Sequence, residues 1–236
     1  MSNKYGPKII TDGLVLHLDA GDRKSYSGTG TTWYDRSKYK NHGTLTNGPT
    51  YNSGNGGSIV FDGADDYFIT DLNTVGQSNT SFSFGGFFYN TTNTHNSTNK
   101  FIFSNYVIGL HDGFFAITTY ATTPILRLWL RDSSRNNNVQ SNGVIPQVGV
   151  WYHVMGVRNA SNNTAQFYVN GELIHDYSYD GSVSVTDLGT SYFGGVLHNS
   201  SQIMPSTVSL VQLYSRALSA IEIQQNYNAI KGRFNL

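Results

Sequence analysis

Three side chains with the chemistry to hold a ligand alternate along one short segment of the sequence. In residues 125–131, Arg127, Trp129 and Arg131 take every second position, and leucines fill positions between them. Successive side chains of a β-strand point to opposite faces of the sheet, so we expect the leucines in the core and Trp129 outside, between the two arginines. An exposed indole beside hydrogen-bond donors is a platform for the apolar face of a sugar ring.

Two tyrosines are candidates for the same surface. Tyr168 and Tyr152 each alternate with large apolar or aromatic neighbours on their own predicted strands. If those strands adjoin the strand of Trp129 in one sheet, five side chains form a single ligand-binding patch: Trp129, Arg127, Arg131, Tyr168 and Tyr152. The same pattern also fits a subunit interface, or an Arg-Trp-Arg stack that only covers the sheet.

The acidic residues lack the pattern of a glycoside hydrolase. Retaining enzymes use two carboxylates about 5–5.5 Å apart, and the only glutamates are Glu172, after a hairpin turn, and Glu222, in a helix-capping sequence. Asp65 and Asp66 are adjacent, and as strand neighbours we expect their carboxylates to point to opposite faces. We therefore predict that the protein is not an enzyme and has no catalytic residues.

The composition of the 236-residue chain excludes several other functions. It has no cysteine, which removes disulfides, thiolate metal sites and cysteine nucleophiles. Its 15 basic and 15 acidic residues cancel, so we expect no nucleic-acid partner. The first residues lack the apolar segment of a signal peptide, and no apolar run approaches the roughly 20 residues of a membrane span. We expect synthesis in a cytoplasm and no membrane partner.

The elements that carry these residues are predicted to be mostly β-strands. Short segments alternate apolar and polar side chains between turn signals, and Ser, Thr, Asn, Tyr and Phe are abundant. Asn170-Gly171 and Asp112-Gly113 each separate two such segments and predict two-residue hairpins. Residues 90–100 and 132–143, rich in Asn, Ser and Thr, are predicted to be surface loops.

One helix is predicted near the C-terminus. Ser219 is a suitable N-cap, Glu222 completes a capping box, and Leu218 and Ile223 occupy the positions of a hydrophobic staple. Gly232 is predicted to end the helix. Apolar residues at helical spacing indicate a packing element rather than a functional site.

Several motifs, in this order along the chain, resemble those of a known family. They are Leu18-Asp19, Trp33-Tyr34-Asp35, Phe61-Asp62-Gly63, Trp151-Tyr152-His153-Val154 and Phe167-Tyr168-Val169-Asn170-Gly171, before a closing strand and helix over 208–234. This pattern is similar to the laminin-G-like jelly rolls of the concanavalin A-like lectin/glucanase superfamily. The resemblance implies an all-β jelly-roll sandwich of two antiparallel sheets with one short C-terminal helix. We predict a single domain over 1–236, with residues 1–12 as an N-terminal extension.

Two segments, 13–21 and 225–234, further resemble versions of this family found in structural proteins of tailed phages. This resemblance implies a non-enzymatic virion protein, a capsid decoration or fibre-type component with weak host-glycan binding. Its expected partners are major capsid or other virion proteins and cell-surface glycans. We expect a homo-oligomer located in the virion and assembled in the host cytoplasm. The alternatives are a stand-alone carbohydrate-binding lectin module and, second, a glycan hydrolase with an atypical aspartate-based site.

The family resemblance raises calcium as a candidate cofactor. Family members often have a compact Ser-Gly-Asn-Gly type of loop after the position of Asp35, where backbone carbonyls hold a cation. This chain instead has Arg36-Ser37-Lys38-Tyr39-Lys40-Asn41, and three cationic side chains repel a divalent cation. We therefore predict no required cofactor, and calcium at this loop is disfavoured.

Overall fold

The computed structural model describes residues 7–72, 80–92, 100–104, 114–120, 125–131, 138–140, 146–179, 190–193 and 205–236. Within these ranges, sixteen strands form two antiparallel sheets. The strands, in chain order, are β1 (Leu14–Asp19), β2 (Thr32–Trp33), β3 (Gly43–Thr46), β4 (Thr50–Asn52), β5 (Ser58–Phe61), β6 (Tyr67–Asp71), β7 (Phe82–Asn90), β8 (Lys100–Ser104), β9 (Phe114–Tyr120), β10 (Ile125–Arg131), β11 (Asn138–Gln140), β12 (Trp151–Asn159), β13 (Thr164–Val169), β14 (Glu172–Ser178), β15 (Thr190–Phe193) and β16 (Ser206–Tyr214).

The two sheets draw strands from both halves of the chain. Sheet A has the order β14-β13-β12-β7-β16-β5-β4, and β1 also pairs with β16. Sheet B has the order β11-β10-β9-β8-β15-β6-β3-β2. The predicted all-β class, with two antiparallel sheets and one short C-terminal helix, is confirmed.

The main core lies between the two sheets. The three leucines of β10 enter it, as their alternation predicts, and share one buried cluster with Phe84 and Phe167 of sheet A. Gly156 of β12 allows the sheets to approach closely. A Cβ at this position would lie 2.6 Å from the Leu128 Cδ1 atom of the opposite sheet, so any larger residue would require the sheets to move apart.

The hairpin predicted at Asn170-Gly171 is present between β13 and β14. Both turn residues have positive φ, 52° at Asn170 and 82° at Gly171, which is the requirement of a type I′ turn. The Asn170 side chain also accepts a hydrogen bond from the His153 amide at 2.9 Å. The other predicted hairpin turn, at Asp112-Gly113, lies outside the described residues. The predicted loop over 132–143 contains the short strand β11.

The predicted C-terminal helix is α1 (Ala220–Ile230), and its capping box is present. The Ser219 side chain accepts a hydrogen bond from the Glu222 amide, and the Glu222 carboxylate accepts one from the Ser219 amide at 2.8 Å. The α-helix ends at Ile230 with Lys231 as its C-cap, so Gly232 occupies the predicted C′ position, although its φ is not positive. The chain continues from α1 into a 3-10 turn over Lys231–Phe234, because the left-handed cap comes only at Asn235, with φ 58°. No helix in the described part of the chain is long and apolar enough to cross a membrane.

This C-terminal segment covers the outer face of sheet A, the face turned away from sheet B. Two buried clusters form beneath it. The first consists of Leu14, Met155, Val157, Tyr168, Tyr214, Leu218 and Ile223. The second consists of Phe87, Trp151, Leu210 and Phe234. The Phe234 ring centroid lies 4.6 Å from that of Phe87 and 4.4 Å from that of Trp151.

Polar contacts hold both chain ends against sheet A. The Arg233 Nη1 atom donates to both carboxylate oxygens of Asp19 at 2.9 Å, and Nη2 donates to Ser209 Oγ at 2.9 Å. The buried Asn226 side chain accepts from the Ile10 amide at 2.8 Å and donates to the Tyr214 hydroxyl at 2.9 Å. The N-terminal segment, α1 and β1 are therefore fixed together.

His153 is buried within this covered face. Its ring lies 4.7 Å from Phe87 and 5.8 Å from Tyr227, centroid to centroid. Neither ring nitrogen has a hydrogen-bond partner among the described residues. Burial lowers the pKa of His153 to about 3, because an apolar surrounding disfavours the imidazolium. The side chain is therefore a neutral member of the aromatic cluster at ordinary pH.

Candidate functional site

Trp129 lies on the outer face of sheet B, as the alternation of β10 predicts. Its indole is partly exposed, and the Arg127 guanidinium carbon lies 5.7 Å from the ring centroid, within the range of a cation–π contact. Arg127 is only 8 % exposed. The arginine therefore supports the indole from its own strand instead of standing beside it in solvent. Arg131 is the last residue of β10, and its side chain lies outside the described part.

The predicted five-residue patch does not form, because Tyr152 and Tyr168 belong to the other sheet. Tyr152 of β12 enters the core between the sheets, where its hydroxyl accepts from the Gln147 amide at 2.8 Å. Tyr168 of β13 is 2 % exposed in the cluster under α1, and its hydroxyl donates to the Gln166 side chain at 3.1 Å. Alternation assigns faces within one strand, but it does not show which strands are neighbours.

A row of paired positions instead extends from Trp129 across the outer face of sheet B. Directly paired residues of antiparallel strands share a face. The row consists of Gln140, Trp129, Ala116, Ser104, Tyr192, Ile69 and Thr44. Trp129 and Ile69 are partly exposed, and Thr44 is exposed. Seven strands at the usual spacing span about 29 Å, but Ser104 in the middle of the row is fully buried, so the accessible positions described lie toward its two ends.

The residues at the far end of this row were missed by the sequence analysis. Ile69 and its same-face neighbour Tyr67 lie on β6, and both are partly exposed. Thr44 lies on β3, opposite Ile69. These strands precede β10 by many residues, and only the sheet order places them on the same face as β10, with three and four strands, respectively, lying between. The alternation of Tyr67 and Ile69 with buried Phe68 is the signal that assigns them to an outer face.

Neither glutamate lies on the outer face of sheet B, because Glu222 is on α1 and Glu172 begins β14 of sheet A. Arg216 donates to both carboxylate oxygens of Glu222, at 2.6 and 3.0 Å. Those hydrogen bonds, with the cap contacts to Ser219, lower the pKa of Glu222 to about 2. A carboxyl with that pKa is ionised near neutral pH and is a poor general acid there. Glu172 is exposed at the start of β14, on sheet A.

Three aspartates converge at the turn before β6. One carboxylate oxygen from each of Asp62, Asp65 and Asp66 lies within 4.8 Å of the other two. The prediction that Asp65 and Asp66 point apart is wrong, because both precede the strand and the turn sets their directions. Burial raises the pKa of Asp66, and the two neighbouring carboxylates raise it further. Three such oxygens have the chemistry to hold a hard cation, and they also close the turn, since Asp66 accepts from the Asp62 amide at 3.0 Å.

The fold and the outer surface of sheet B together define a class of protein. It is an antiparallel jelly-roll sandwich in which one outer face is closed by a helix and the other carries a partly exposed aromatic side chain. The chain belongs to the Concanavalin A-like lectin/glucanases superfamily, since its residues 61–224 match the Laminin_G_3 family of that description. No curated protein sequence matches the chain.

Solved structures with a similar fold include toxin binding domains and one domain of an arabinanase. The binding domain of Paraclostridial Mosquitocidal Protein 1 has a TM-score of 0.72 at 15 % identity, over 92 % of this chain and 52 % of that one. The binding domain of Botulinum Neurotoxin DC, in complex with SialylT, has a TM-score of 0.70 at 15 % identity, over 93 % and 52 %. Domain 4 of AbnA, a GH43 extracellular arabinanase from Geobacillus stearothermophilus, in complex with arabinotriose, has a TM-score of 0.68 at 14 % identity, over 92 % and 100 %.

These similarities differ in extent. The chain spans about half the length of the toxin binding domains, whereas it matches the whole of the arabinanase domain. At identities of 14 and 15 % they establish the shared fold alone. A single fold of this kind carries many functions, so function must be argued from the surface of this chain.

Proposed function

We propose that this protein is a glycan-binding module that holds a saccharide on the outer face of sheet B, with Trp129 as the stacking platform. The observation that carries the proposal is the partly exposed indole, backed by the Arg127 guanidinium at 5.7 Å. A rigid aromatic face stacks on the C–H face of a sugar with little loss of side-chain entropy. At the far end of the same row, the partly exposed Ile69 and the exposed Thr44 offer an apolar and a hydroxyl-bearing contact.

The outer face of sheet A is a poorer candidate for the same task. Its aromatic side chains, among them Trp151 and Tyr168, are buried beneath α1 and the 3-10 turn. A ligand could reach them only if the C-terminal segment detached. Two proteins of the same fold, solved with arabinotriose and with SialylT, support a saccharide as the ligand class.

The proposed role is non-catalytic. Glu222 is occupied by Arg216 and the helix cap, and Glu172 is on the opposite sheet from Trp129. Among the described residues, the three converging aspartates offer an alternative, a hydrolase with an aspartate-based site. A reducing-sugar assay on each glycan that binds distinguishes the two, and we expect no release. Release that disappears in Asp66→Asn would establish hydrolysis.

We further propose that the module works on a tailed-phage particle, as a capsid decoration or fibre-type component repeated as a homo-oligomer. Its support is the resemblance of segments 13–21 and 225–234 to phage structural proteins. In this chain, those segments meet through Asp19 and Arg233, a contact that closes the fold. Repetition on a particle would multiply weak glycan contacts. Co-sedimentation with emptied capsids tests this, since a decoration protein pellets without sugar and a stand-alone lectin stays in the supernatant.

The experiment that tests glycan binding is a glycan array probed with four proteins. They are the native chain, Trp129→Ala, Trp129→Phe and the control Leu173→Ala, which removes an exposed apolar side chain from sheet A. We expect dose-dependent binding that is lost in Trp129→Ala and retained in the other two. Binding that survives in Trp129→Ala would move the site elsewhere, and silence across the array would contradict the proposal.

A further inference from the structure

A second surface, the loop between β2 and β3, is built around a buried carboxylate. Asp35 Oδ1 accepts hydrogen bonds from the amides of His17 and Ser37, both at 2.8 Å. Asp35 Oδ2 accepts from Ser37 Oγ at 2.5 Å and from the Asn41 amide at 2.8 Å. Asp35 therefore holds the loop at Ser37 and at Asn41, and between them Ser37 Oγ accepts from the Tyr39 amide at 3.1 Å. A loop fixed in this way presents its remaining side chains with little loss of entropy on binding.

The side chains that this loop presents are basic and aromatic. Lys38, Tyr39 and Lys40 are exposed, and Tyr39 keeps 43 % of its surface. The Lys38 Nζ atom lies 5.0 Å from the centroid of the Tyr39 ring. Within the part of the chain that the structure describes, no carboxylate lies within 4.0 Å of the ammonium of Lys38 or Lys40. Two ammonium groups and one tyrosine ring thus face outward together.

The local charge differs from that of the whole chain. Residues 21–42 contain five basic and two acidic residues, a net charge of +3, in a chain whose total is zero. The basic residues of this segment lie in two parts, at 23–24 and at 36–40. Asp22 contacts both parts, since its carboxylate accepts from the Lys24 amide at 2.9 Å and pairs with Arg36 Nε at 3.1 Å. The turn at residues 22–24 therefore lies against the loop at 36–41. This concentration of positive charge attracts anions over about a Debye length.

A cavity of about 270 Å³ opens beside the loop. Two segments line it, residues 11–14 on one side and residues 36–39 of the loop on the other. Arg216 fixes the wall opposite the loop, because its Nε atom lies 2.8 Å from Asp12 Oδ2. Asp12 Oδ1 has no partner among the described residues and can accept a hydrogen bond from a ligand hydroxyl. The volume is near the lower limit of ligand pockets, which suits one ring of a larger molecule.

We propose that this cavity and loop bind an acidic saccharide. Its carboxylate or sulfate group pairs with Lys38 and Lys40, its ring packs on Tyr39, and a ring hydroxyl donates to Asp12. The Asp12 carboxylate favours a sugar over a polyphosphate chain, because it can only accept a hydrogen bond and a sugar has hydroxyls that donate one. The inference rests on the proposed glycan-binding function, but it concerns a separate surface. The loop follows β2, which lies at one edge of sheet B. Six strand spacings, which together make about 29 Å, separate β2 from β10.

The test is a set of titrations of the full chain with defined saccharides. Dextran sulfate and oligogalacturonate supply the sulfate and carboxylate forms of the anion, and dextran of equal length is the neutral control. We expect the anionic saccharides to bind with an affinity that falls as salt is added. We expect dextran to show no binding that depends on Lys38. A preference between the two anions identifies the acidic group.

Matched variants assign the binding to the loop. Lys38→Gln combined with Lys40→Gln is expected to weaken anionic binding by about tenfold or more, and Lys38→Arg with Lys40→Arg is expected to restore it. Lys231→Gln, which removes one positive charge from the C-terminal turn over sheet A, is the control and should leave affinity unchanged. Trp129→Ala should also leave it unchanged, so loss of the sheet B site and loss of this site are distinguishable.

Three results would overturn the inference. One is anionic binding that the double glutamine variant does not weaken. Another is equal binding of dextran and dextran sulfate. The third is a single-stranded oligonucleotide of equal charge that binds the loop as tightly as either acidic saccharide, which would make the loop a general polyanion surface.

Discussion

The outer face of sheet A carries Phe234, Trp151 and Tyr168 beneath a helix, whereas the outer face of sheet B carries Trp129 and Ile69 in partial contact with solvent. Both faces are rich in aromatic and apolar side chains, so composition does not distinguish them. The difference is the C-terminal segment, which is fixed to sheet A by Arg233 and Asn226. Aromatic residues on the first face stabilise the fold, and those on the second remain available to a ligand.

The largest expected loss of stability comes from deleting a ring that is buried between the C-terminal segment and sheet A. Phe234→Ala removes a ring packed within 4.6 Å of Phe87 and 4.4 Å of Trp151. We expect unfolding in urea to require about 3–5 kcal/mol less free energy, the usual cost of deleting a buried phenylalanine ring. Ile221→Ala, on α1 but 78 % exposed, is the control and should cost less than about 0.5 kcal/mol. Equal costs for the two variants would show that the segment does not stabilise the face.

Low pH is expected to lower the free energy of unfolding of the native chain, because His153 is buried in the same covered face. Because the pKa of His153 falls from 6.5 to about 3 on folding, the unfolded chain binds more protons than the folded chain between these pH values. Stability is therefore fully present above pH 6.5 and should fall by about 1 kcal/mol per pH unit as the pH drops toward 3. Urea unfolding measured at a series of pH values checks the slope.

A variant separates His153 from the other groups that titrate in this range. Burial also lowers the pKa of His17, and Glu222, with a pKa of about 2, adds a loss of the same sign below pH 4.5. His153→Phe keeps an aromatic ring but cannot be protonated. Its stability should decline less steeply than that of the native chain between pH 6.5 and 4.5. The same slope in both proteins would mean that His153 does not govern the acid response.

A smaller loss of stability is expected from removing the N-cap of α1. Ser219→Ala removes the side chain that caps α1, and we expect a loss of about 1 kcal/mol in unfolding free energy. Ligand affinity on sheet B should not change, because the cap contacts only the covered side of the molecule. Thermal melting and the array signal, measured on one preparation, check both statements. Reduced glycan binding in this variant would show that the two faces are coupled.

The fold was largely predictable from the sequence because its signals are local. The alternation of β10, the Asn170-Gly171 turn and the Ser219 capping box each depend on residues that are close in the chain. Gly232 lies at the C′ position of the α-helix as predicted, but the 3-10 turn that follows, in which Arg233 pairs with Asp19, was not predictable from local signals.

The candidate site was only half predictable. The outward position of Trp129 follows from alternation, but the assignment of Tyr152 and Tyr168 to the same surface required the order of strands, which the sequence does not encode locally. The burial of Tyr168 depends on a helix that arrives more than 50 residues later in the chain. Sheet order likewise places Ile69 in the row of Trp129, although three strands of the sheet separate β6 from β10.

The smallest expected effect on stability is that of Trp129→Ala. Because part of the indole is exposed to solvent, its removal should cost less free energy of unfolding than Phe234→Ala. Urea unfolding beside Phe234→Ala checks this directly. A cost of several kcal/mol would place Trp129 among the residues that hold the fold together, and the two faces would no longer differ in the way described.

The measurement that tests the account most directly is calorimetric titration of the strongest array glycan into matched variants of the two faces. We expect Trp129→Ala to raise Kd by about tenfold or more, as loss of a stacking contact does. Trp129→Phe and the sheet A control Leu173→Ala should stay within about twofold of the native value. An unchanged Kd in Trp129→Ala, or a comparable loss in Leu173→Ala, would contradict the claim that the outer face of sheet B binds the glycan.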